Sequence, residues 1–476
     1  MLVRQVADPK LAQFAYLVGC PRSGEAIVID PERDVDRYFD LARRHKLRIV
    51  AAADTHIHAD YLSGLREMAA RDVLVYASKE GGPDWQYEWL LSGEYRHRLL
   101  GHGDQFSVGF IEFLAVHTPG HTPEHLSYLI RDAGGGAADF VALASGDFVF
   151  VGDVGRPDLL ERAAGMVGVM EPAARAQFAS IQREFRPLPE FLQVWPAHGA
   201  GSACGKSLGD VPTSTVGYEL RTNRSILTAV DEQTFVDFIL AGQPEPPLYF
   251  ARMKRDNRRG PELLRQLPAP AALATPDLAA LAHRTDIAVL DTRSREAFFA
   301  GHLSGSLLTE LDYQFCSLAG SYVPEGMPIY LIVDQKRLDE AVRALIRVGL
   351  DRIGGYATPE TLADYARQTG PLPRVTTIDM PALEAARTDG RAHVLDVRSA
   401  AEFEAGHVPG ALHVPHTRIG VNADTLPTDK PLLVYCQSGA RAAAAVAMLE
   451  RLGLTAIDVN DAFANYRRTE HAAASV

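Results

Sequence analysis

The sequence has few cysteines and no long uninterrupted apolar segment. Its four cysteines, at positions 20, 204, 316 and 436, form no Cys-x-x-Cys pair, which excludes a disulfide scaffold and a structural zinc ribbon. No apolar run reaches the roughly 20 residues that span a bilayer. The N-terminal residues have neither the apolar core of a signal peptide nor the pattern of a transit peptide. We therefore expect a cytoplasmic protein without a membrane partner.

Positive charge is also scarce. The 476 residues contain 48 Lys and Arg against 60 Asp and Glu, a net charge of −12. Such an acidic surface repels nucleic acid, so we expect no nucleic-acid partner. The length exceeds that of one ordinary core and predicts several domains.

The first half alternates between strand-like and helix-like segments. Residues 25–30 and the apolar run 47–53 predict strands, and residues 34–46 between them predict a helix. Further strand candidates, each followed by a polar turn, are 110–116, 140–144 and 191–195. This pattern predicts a layered sheet enzyme with its site along one edge.

The second half contains an internal repeat. Residues 289–307 (VLDTRSREAFFAGHLSGSL) and 394–412 (VLDVRSAAEFEAGHVPGAL) agree at eleven of nineteen positions without gaps. Each copy has the pattern of a small parallel α/β sheet. Composition shifts at 254–275 and 368–374 indicate linkers. The predicted domains are 1–260, 275–370 and 376–474.

Potential metal ligands follow several predicted strands. Residues 55–64 (THIHADYLSG) bring His56, His58 and Asp60 into one loop, and later turns supply His121, Asp147 and His198. A lone histidine is usually structural, but a His-x-His-x-Asp cluster followed by three such turns indicates a metal site.

These motifs resemble the metallo-β-lactamase superfamily over residues 1–250. For two-metal hydrolases of this superfamily, the resemblance implies a first metal on His56, His58 and His121. The second metal would bind Asp60, the residue that follows Asp60, and His198. Asp147 would lie between the two metals. In this sequence the residue after Asp60 is Tyr61, a poor ligand because a phenol has a pKa of about 10. A two-metal hydrolase is therefore disfavoured, whereas two histidines and one carboxylate suit a non-heme Fe(II) centre.

Three segments resemble the persulfide dioxygenases of this superfamily: THIHAD at 55–60, TPGH at 118–121, and GD at 146–147 followed by GRPD at 155–158. The resemblance implies one Fe(II) per chain, held by His56, His121 and Asp147. Four further residues would then lie beside the ligands, as second-sphere groups that orient them, or on the substrate side: His58, Asp60, Tyr61 and His198. A second Gly-Asp pair ends at Asp153; Asp147 is preferred because it ends the apolar run.

Cys204 lies six residues after His198 in a glycine-rich loop. It is either a small side chain that fills the loop or a catalytic thiol. In the second case Lys206 or a following helix start would lower its pKa. The loop resembles that of persulfide dioxygenases fused to two rhodanese-like domains, so Cys204 is a secondary catalytic candidate.

The predicted strand 430–435 leads into CQSGAR (436–441) and an alanine-rich helix. Backbone N–H groups, the helix dipole and Arg441 would stabilise a thiolate at Cys436. With 396–398 and 406–410, this pattern resembles the rhodanese sulfurtransferases and implies Cys436 and Arg441 as catalytic residues. Asn460-Asp461 departs from the Gly-Gly turn that rhodaneses often have.

The first copy of the repeat lacks an equivalent cysteine. Its strand 328–333 leads into DQKR at 334–337, and Cys316 lies too early in the chain to replace the missing thiol. We expect this copy to be a non-catalytic spacer or interface element.

Together these observations predict an α/β protein: an N-terminal metallo-β-lactamase αββα sandwich followed by two rhodanese-like domains. We expect it to oxidise a low-molecular-weight thiol persulfide with O₂ to sulfite, and to move sulfane sulfur to or from thiosulfate. The carrier thiol and the direction of sulfur flow stay open, and the families imply a homodimer or homotetramer. The alternatives are a two-zinc thioester hydrolase of the glyoxalase II type and a sulfur-carrier or sensor protein.

Overall fold

The computed structural model describes residues 1–162, 165 and 167–466, and the chain divides into two compact units. One unit comprises residues 1–267 together with 346–349, and the other contains the rest of the chain from residue 268. Among the described residues, no helix combines the length and the apolarity needed to cross a membrane. The last part of the predicted domain 376–474, from residue 467, lies outside the described residues.

Two six-stranded sheets form the framework of the first unit. The first sheet contains, in spatial order, β1 (Leu2–Asp8), β2 (Gln13–Cys20), β3 (Glu25–Ile29), β4 (Arg48–Ala53), β5 (Leu74–Ser78) and β6 (His97–Leu100). In the second sheet the spatial order of the strands follows the chain order: β7 (Gln105–Val108), β8 (Ile111–His117), β9 (Leu126–Asp132), β10 (Ala142–Gly146), β11 (Gln193–Pro196) and β12 (Ser214–Thr215). The predicted strands at 25–30, 47–53 and 110–116 correspond to β3, β4 and β8.

Alternating side chains build three apolar layers around these sheets. Leu17 and Val28 pack with Tyr38 on the outer face of the first sheet, whereas Val18 and Ile27 pack between the two sheets. A third cluster lies on the outer face of the second sheet. The helices of this unit are α1 (Asp36–Arg44), α2 (Leu65–Ala69), α3 (Glu88–Leu91), α4 (Leu159–Arg162), α5 (Met170–Ser180), α6 (Val216–Thr222), α7 (Arg224–Thr228), α8 (Glu232–Leu240) and α9 (Phe250–Arg259). The predicted αββα sandwich is confirmed.

Two five-stranded parallel sheets form the second unit, one for each copy of the repeat. The first, in chain order, has β13 (Ala271–Ala272), β14 (Ala288–Asp291), β15 (Leu307–Leu308), β16 (Ile329–Ile332) and β17 (Ile353–Ala357). The second has β18 (Thr377–Ile378), β19 (His393–Asp396), β20 (Leu412–His413), β21 (Leu432–Tyr435) and β22 (Ala456–Val459). Their spatial orders, β13-β17-β16-β14-β15 and β18-β22-β21-β19-β20, are the same arrangement. The two predicted rhodanese-like folds are confirmed.

Helices surround both parallel sheets, as right-handed crossovers between parallel strands require. Those of the first copy are α10 (Thr275–Leu281), α11 (Arg295–Ala300), α12 (Phe315–Tyr322), α13 (Leu338–Arg347) and α14 (Pro359–Thr369). Those of the second copy are α15 (Met380–Thr388), α16 (Ala400–Glu404), α17 (Ile419–Asn422) and α18 (Ala440–Arg451).

The predicted linker at 254–275 is wrong over much of its length. Residues up to Arg259 belong to α9, and β13 pairs with β17 at Ala271–Ala272. Phe250, Met253 and Asn257 are buried at helical spacing in α9. The basic residues between them are partly buried, and burial lowers the pKa of Lys254 to about 7, so this segment is a packed helix.

Candidate metal centre and candidate cysteine loop

The predicted metal ligands lie where strands of the two sheets end. His56 follows β4, His121 follows β8, Asp147 directly follows β10 and His198 follows β11. All four side chains are buried. The sandwich therefore collects them at one edge although they are far apart in sequence.

His56, His121 and Asp147 form one cluster, with ligand atoms all within 4.8 Å of one another. Oδ2 of Asp147 lies 3.3 Å from Nε2 of His121 and 4.0 Å from Nε2 of His56. Neither carboxylate oxygen of Asp147 has a hydrogen-bond partner among the described residues. Because an unpaired buried carboxylate is costly, the cluster fits a bound cation.

Hydrogen bonds at Nδ1 determine which nitrogen of each histidine could bind a metal ion. Nδ1 of His121 lies 3.0 Å from the Arg156 carbonyl, which only accepts, so Nδ1 carries the proton. Nδ1 of His56 lies 3.0 Å from Oγ1 of Thr55, whose hydroxyl donates to Asp30, so this nitrogen is also the donor. The Nε2 lone pairs of both rings therefore face Asp147, as metal binding requires.

Burial keeps both imidazoles neutral. It lowers the pKa of His121 to about 3, with a further contribution from the charge of Lys254. Burial, followed by the charge of His58, lowers the pKa of His56 well below its usual value. Burial also raises the pKa of Asp147 to about 6. Neutral imidazole rings beside a buried carboxylate suit metal binding, which requires unprotonated rings.

Tyr61 contacts a histidine rather than the cluster of ligands. Its hydroxyl lies 3.0 Å from Nε2 of His58 and accepts a hydrogen bond from Gln13 at 3.2 Å. Burial, followed by the charge of Asp30, raises the pKa of Tyr61 well above its usual value, so the phenol stays protonated.

His58 is held by acidic neighbours on the same side. Burial alone would lower its pKa, but the hydrogen bond and charge of Asp30 outweigh burial and raise the pKa to about 9. Nε2 of His58 lies 3.3 Å from Oδ1 of Asp30. This ring nitrogen is therefore occupied by Tyr61 and Asp30, and His58 is absent from the cluster of His56, His121 and Asp147.

A second cluster contains Asp60, His198 and Cys204, again within 4.8 Å of one another. Nε2 of His198 lies 3.3 Å from Asp60 and 3.5 Å from Asp147. Its Nδ1 lies 3.2 Å from the carbonyl of Ala12, so Nε2 again presents a lone pair. The structure therefore brings Cys204 to the predicted second-sphere residues beside the first cluster.

The predicted activation of Cys204 by Lys206 is wrong. The ammonium of Lys206 donates to the carbonyls of Phe238 and Ala241 and lies 4.0 Å from the Phe238 ring centroid. No helix begins directly after Cys204. Burial, followed by the charges of Asp60 and Asp147, raises the pKa of the Cys204 thiol well above its usual value.

Sequence reasoning missed two residues that support the centre. The backbone N–H of Asp147 donates to Nε2 of His125 at 3.0 Å, and the spacing of His125 from His121 was the available signal. The Asn257 amide donates to the carbonyls of His58 and Tyr61 at 2.8 and 2.7 Å. Helix α9 thereby anchors the metal-ligand loop, which no local pattern in residues 55–64 indicates.

Cys436 occupies the predicted loop between β21 and α18. The N–H of Gly439 donates to its sulfur at 3.1 Å, and Gly439 has φ +96°, which favours glycine. Arg441 interacts with the sulfur and also forms two hydrogen bonds with Glu402, of 2.6 and 2.7 Å. Burial would raise the pKa of Glu402, but Arg441 outweighs burial and lowers it to about 2.

The first copy of the repeat has the same supporting contacts but no cysteine in the loop after β16. Arg293 pairs with Asp291 and donates to the Gly301 carbonyl, as Arg398 does with Asp396 and Gly406. Cys316 is buried in α12, where its thiol donates to the Ala344 carbonyl at 3.6 Å. It therefore lies outside the loop that follows β16.

Comparisons with known proteins agree with this division of the chain. Family models match for the metallo-beta-lactamase superfamily at residues 8–198 and for a rhodanese-like domain at residues 379–468. A metallo-beta-lactamase from Staphylococcus aureus subsp. aureus COL has 39% identity and a TM-score of 0.68, with coverage of 75% of this chain and 99% of that chain.

Curated relatives match shorter stretches of the chain. The mitochondrial persulfide dioxygenase ETHE1 of Mus musculus is 27% identical over 202 residues, 42% of this chain and 68% of the relative. A hydroxyacylglutathione hydrolase of Glaesserella parasuis serovar 5 (strain SH0165) is 27% identical over 176 residues, 37% of this chain and 61% of the relative.

Proposed function

Because the chain belongs to the metallo-β-lactamase superfamily and carries a C-terminal rhodanese-like domain, we propose that it is a persulfide dioxygenase with sulfurtransferase activity. It would oxidise a low-molecular-weight thiol persulfide with O₂ to sulfite and transfer sulfane sulfur at Cys436. The proposed domains are 1–260, 275–370 and 376–474, in a cytoplasmic homo-oligomer.

One observation carries the dioxygenase proposal: the Nε2 atoms of His56 and His121 face a carboxylate of Asp147 that has no donor among the described residues. Two histidines and one carboxylate are the ligand set of non-heme Fe(II) oxygenases, which keep open positions for O₂ and substrate. Fe(II) bound there would supply O₂ activation next to the persulfide sulfur. The similarity to relatives named persulfide dioxygenase supports the same chemistry.

The protein's own residues prepare this site. The Arg156 carbonyl and Thr55 hold the two imidazoles in the tautomers that present Nε2, and His125 holds the backbone of Asp147. Tyr61 remains protonated and hydrogen-bonded to His58, so it supplies no second-metal ligand.

The sulfurtransferase proposal rests on the Cys436 loop. The Cys436 thiolate would attack the sulfane sulfur of thiosulfate, the S–S bond would break, and sulfite would leave with the electron pair. A thiol would then accept the sulfane sulfur from the Cys436 persulfide. The N–H of Gly439 and the guanidinium of Arg441 stabilise negative charge on sulfur at this position.

A two-metal thioester hydrolase is the second candidate, and one observation favours it. Asp60, His198 and Cys204 could act as a second ligand set next to the first cluster, and a relative named hydroxyacylglutathione hydrolase matches 37% of this chain. Cys204 would then take the position of the ligand that Tyr61 does not supply.

The two candidates differ in what they consume. We expect anaerobically purified protein to take up O₂ and form sulfite when a thiol persulfide is added, and to hydrolyse a thioester of the same thiol poorly. Efficient thioester hydrolysis without persulfide-dependent O₂ uptake would overturn the proposal and favour the hydrolase.

A further inference from the structure

A residue of the first copy of the repeat lies next to the Cys436 loop of the second copy. A Cβ placed on Gly439, whose N–H binds the Cys436 sulfur, would collide with Nη1 of Arg295. Arg295 is the first residue of α11, in the first copy of the repeat, and both copies belong to one compact unit. The Cys436 loop of the second copy therefore lies next to an arginine that belongs to the first copy.

The two arginines at the loop, Arg441 and Arg295, differ in their hydrogen bonds. Arg441, the arginine within the loop, is paired through two hydrogen bonds with Glu402, so this pair carries no net charge. Arg295 lies near Glu296 and Glu310 and near Asp458, where burial raises the pKa and the charge of Arg295 opposes that rise. Both oxygens of Asp458 nevertheless lack a hydrogen-bond partner among the described residues, so Arg295 does not donate to them. The Arg295 guanidinium therefore lies next to the loop with its donors not committed to Asp458.

We propose that Arg295 of the first copy forms the anion-binding part of the Cys436 centre and binds the sulfonate group of thiosulfate. The inference rests on the proposed sulfur transfer at Cys436. A guanidinium suits this group because its planar N–H donors match oxygen atoms of a small oxyanion.

The role of Arg295 follows from where negative charge develops during sulfur transfer. As the S–S bond of thiosulfate breaks, the electron pair moves to the sulfonate sulfur and sulfite leaves as a dianion. Arg441 is already bonded to Glu402 and interacts with the Cys436 sulfur, whereas the guanidinium of Arg295 lies next to the same loop without donating to Asp458. A persulfide donor releases a thiolate instead of sulfite and needs this cation less.

The test compares Arg295→Ala, Arg295→Lys and the control Arg367→Ala in the full-length protein. Arg367 lies in the same copy, is largely exposed and pairs with Asp364 on its own helix. We expect Arg295→Ala to raise the KM for thiosulfate by roughly tenfold or more, the loss typical of a charged hydrogen bond. Arg295→Lys should restore part of this loss, and transfer from a thiol persulfide should change little in either variant.

Binding of sulfite, measured by calorimetry on Cys436→Ser and on Cys436→Ser/Arg295→Ala, tests the site without turnover. Loss of sulfite affinity in the double variant supports the proposal. Equal affinity, unchanged thiosulfate kinetics in Arg295→Ala, or an equal loss for both sulfur donors that lysine does not restore would overturn it. If Cys436→Ser keeps wild-type sulfur transfer, the proposed function of Cys436 fails, and the sulfite titration still decides the role of Arg295.

Discussion

Asp147 and Asp153 each follow a glycine, and their surroundings give them different roles. The carboxylate of Asp147 has no hydrogen-bond donor among the described residues. The carboxylate of Asp153 accepts from the backbone N–H groups of Lys206 and Ser207 and from the hydroxyl of Ser225. Asp147 thus has the unmet charge of a ligand, and Asp153 has the satisfied contacts of a loop anchor.

This difference predicts opposite results for the same substitution. Asp147→Asn should lose bound iron and persulfide-dependent O₂ uptake while the fold is retained, because an amide replaces the charged ligand. Asp153→Asn should keep the iron and lose about 1–3 kcal/mol of stability, since it weakens hydrogen bonds to a charged group. Metal analysis and chemical denaturation measure both effects. Iron loss in Asp153→Asn with iron retained in Asp147→Asn would reverse the assignment.

Asp458 provides a pH prediction at the same scale. Burial raises its pKa from 3.8 to about 7. Its contribution to stability is thus fully present below pH 3.8 and is lost as the pH rises to about 7. Asp458→Asn should therefore be neutral near pH 4 and more stable than wild type by roughly 1–3 kcal/mol at pH 8.

Asp461→Asn is the matched control for Asp458→Asn. Hydrogen bonds from Met380, Ala462 and Asn465 act against burial and lower the pKa of Asp461. Its replacement should therefore destabilise the protein at neutral pH. Urea unfolding across the pH range checks both variants, and a stability gain in Asp458→Asn that is independent of pH would contradict the titration argument.

At the scale of helices and strands, elements with a regular apolar period could be predicted from the sequence, whereas contacts between distant residues could not. The apolar run at 47–53 predicted β4, and the helical pattern at 34–46 predicted α1, since burial at period 2 or 3.6 is encoded locally. Helix α9 was missed because its basic residues obscured the buried spacing of Phe250, Met253 and Asn257.

The same limit applies to the sites. The loop residues His56, His121, Asp147 and Cys436 were identifiable because each belongs to a short sequence motif. The approach of Arg295 to Gly439 joins two copies of the repeat, and the burial of Cys204 beside Asp60 depends on the complete sandwich. Neither contact has a local sequence pattern.

The two copies of the repeat differ in where their cysteine lies, which gives the third prediction. Cys316 is buried within α12 and contacts the Ala344 carbonyl, whereas Cys436 lies in the loop between β21 and α18. Cys316→Ser should leave thiosulfate-to-thiol transfer unchanged, with a stability loss of about 1 kcal/mol. Cys436→Ser should reduce the transfer by roughly a thousandfold or more, as expected for loss of a nucleophile. A large loss of transfer in folded Cys316→Ser would show that α12 has a catalytic role.

At the scale of the whole molecule, the candidate metal ligands belong to one compact unit and Cys436 belongs to the other. We therefore expect two separable reactions that share sulfane sulfur. Cys436→Ser should retain iron and O₂ uptake on a supplied persulfide while it releases more sulfite and less thiosulfate. Oxygen electrode traces with sulfite and thiosulfate assays measure this balance, and Cys204→Ser determines whether the buried second thiol contributes. Loss of O₂ uptake in Cys436→Ser at normal iron content would show that the two sites are obligately coupled.

The most direct measurement is the metal content of anaerobically purified protein together with its O₂ uptake on a thiol persulfide. The ligand set of His56, His121 and Asp147, with Tyr61 bonded to His58, predicts about one iron per chain and O₂ uptake that rises in proportion to iron. Two tightly bound zinc ions per chain, with thioester hydrolysis and no O₂ uptake, would contradict the account.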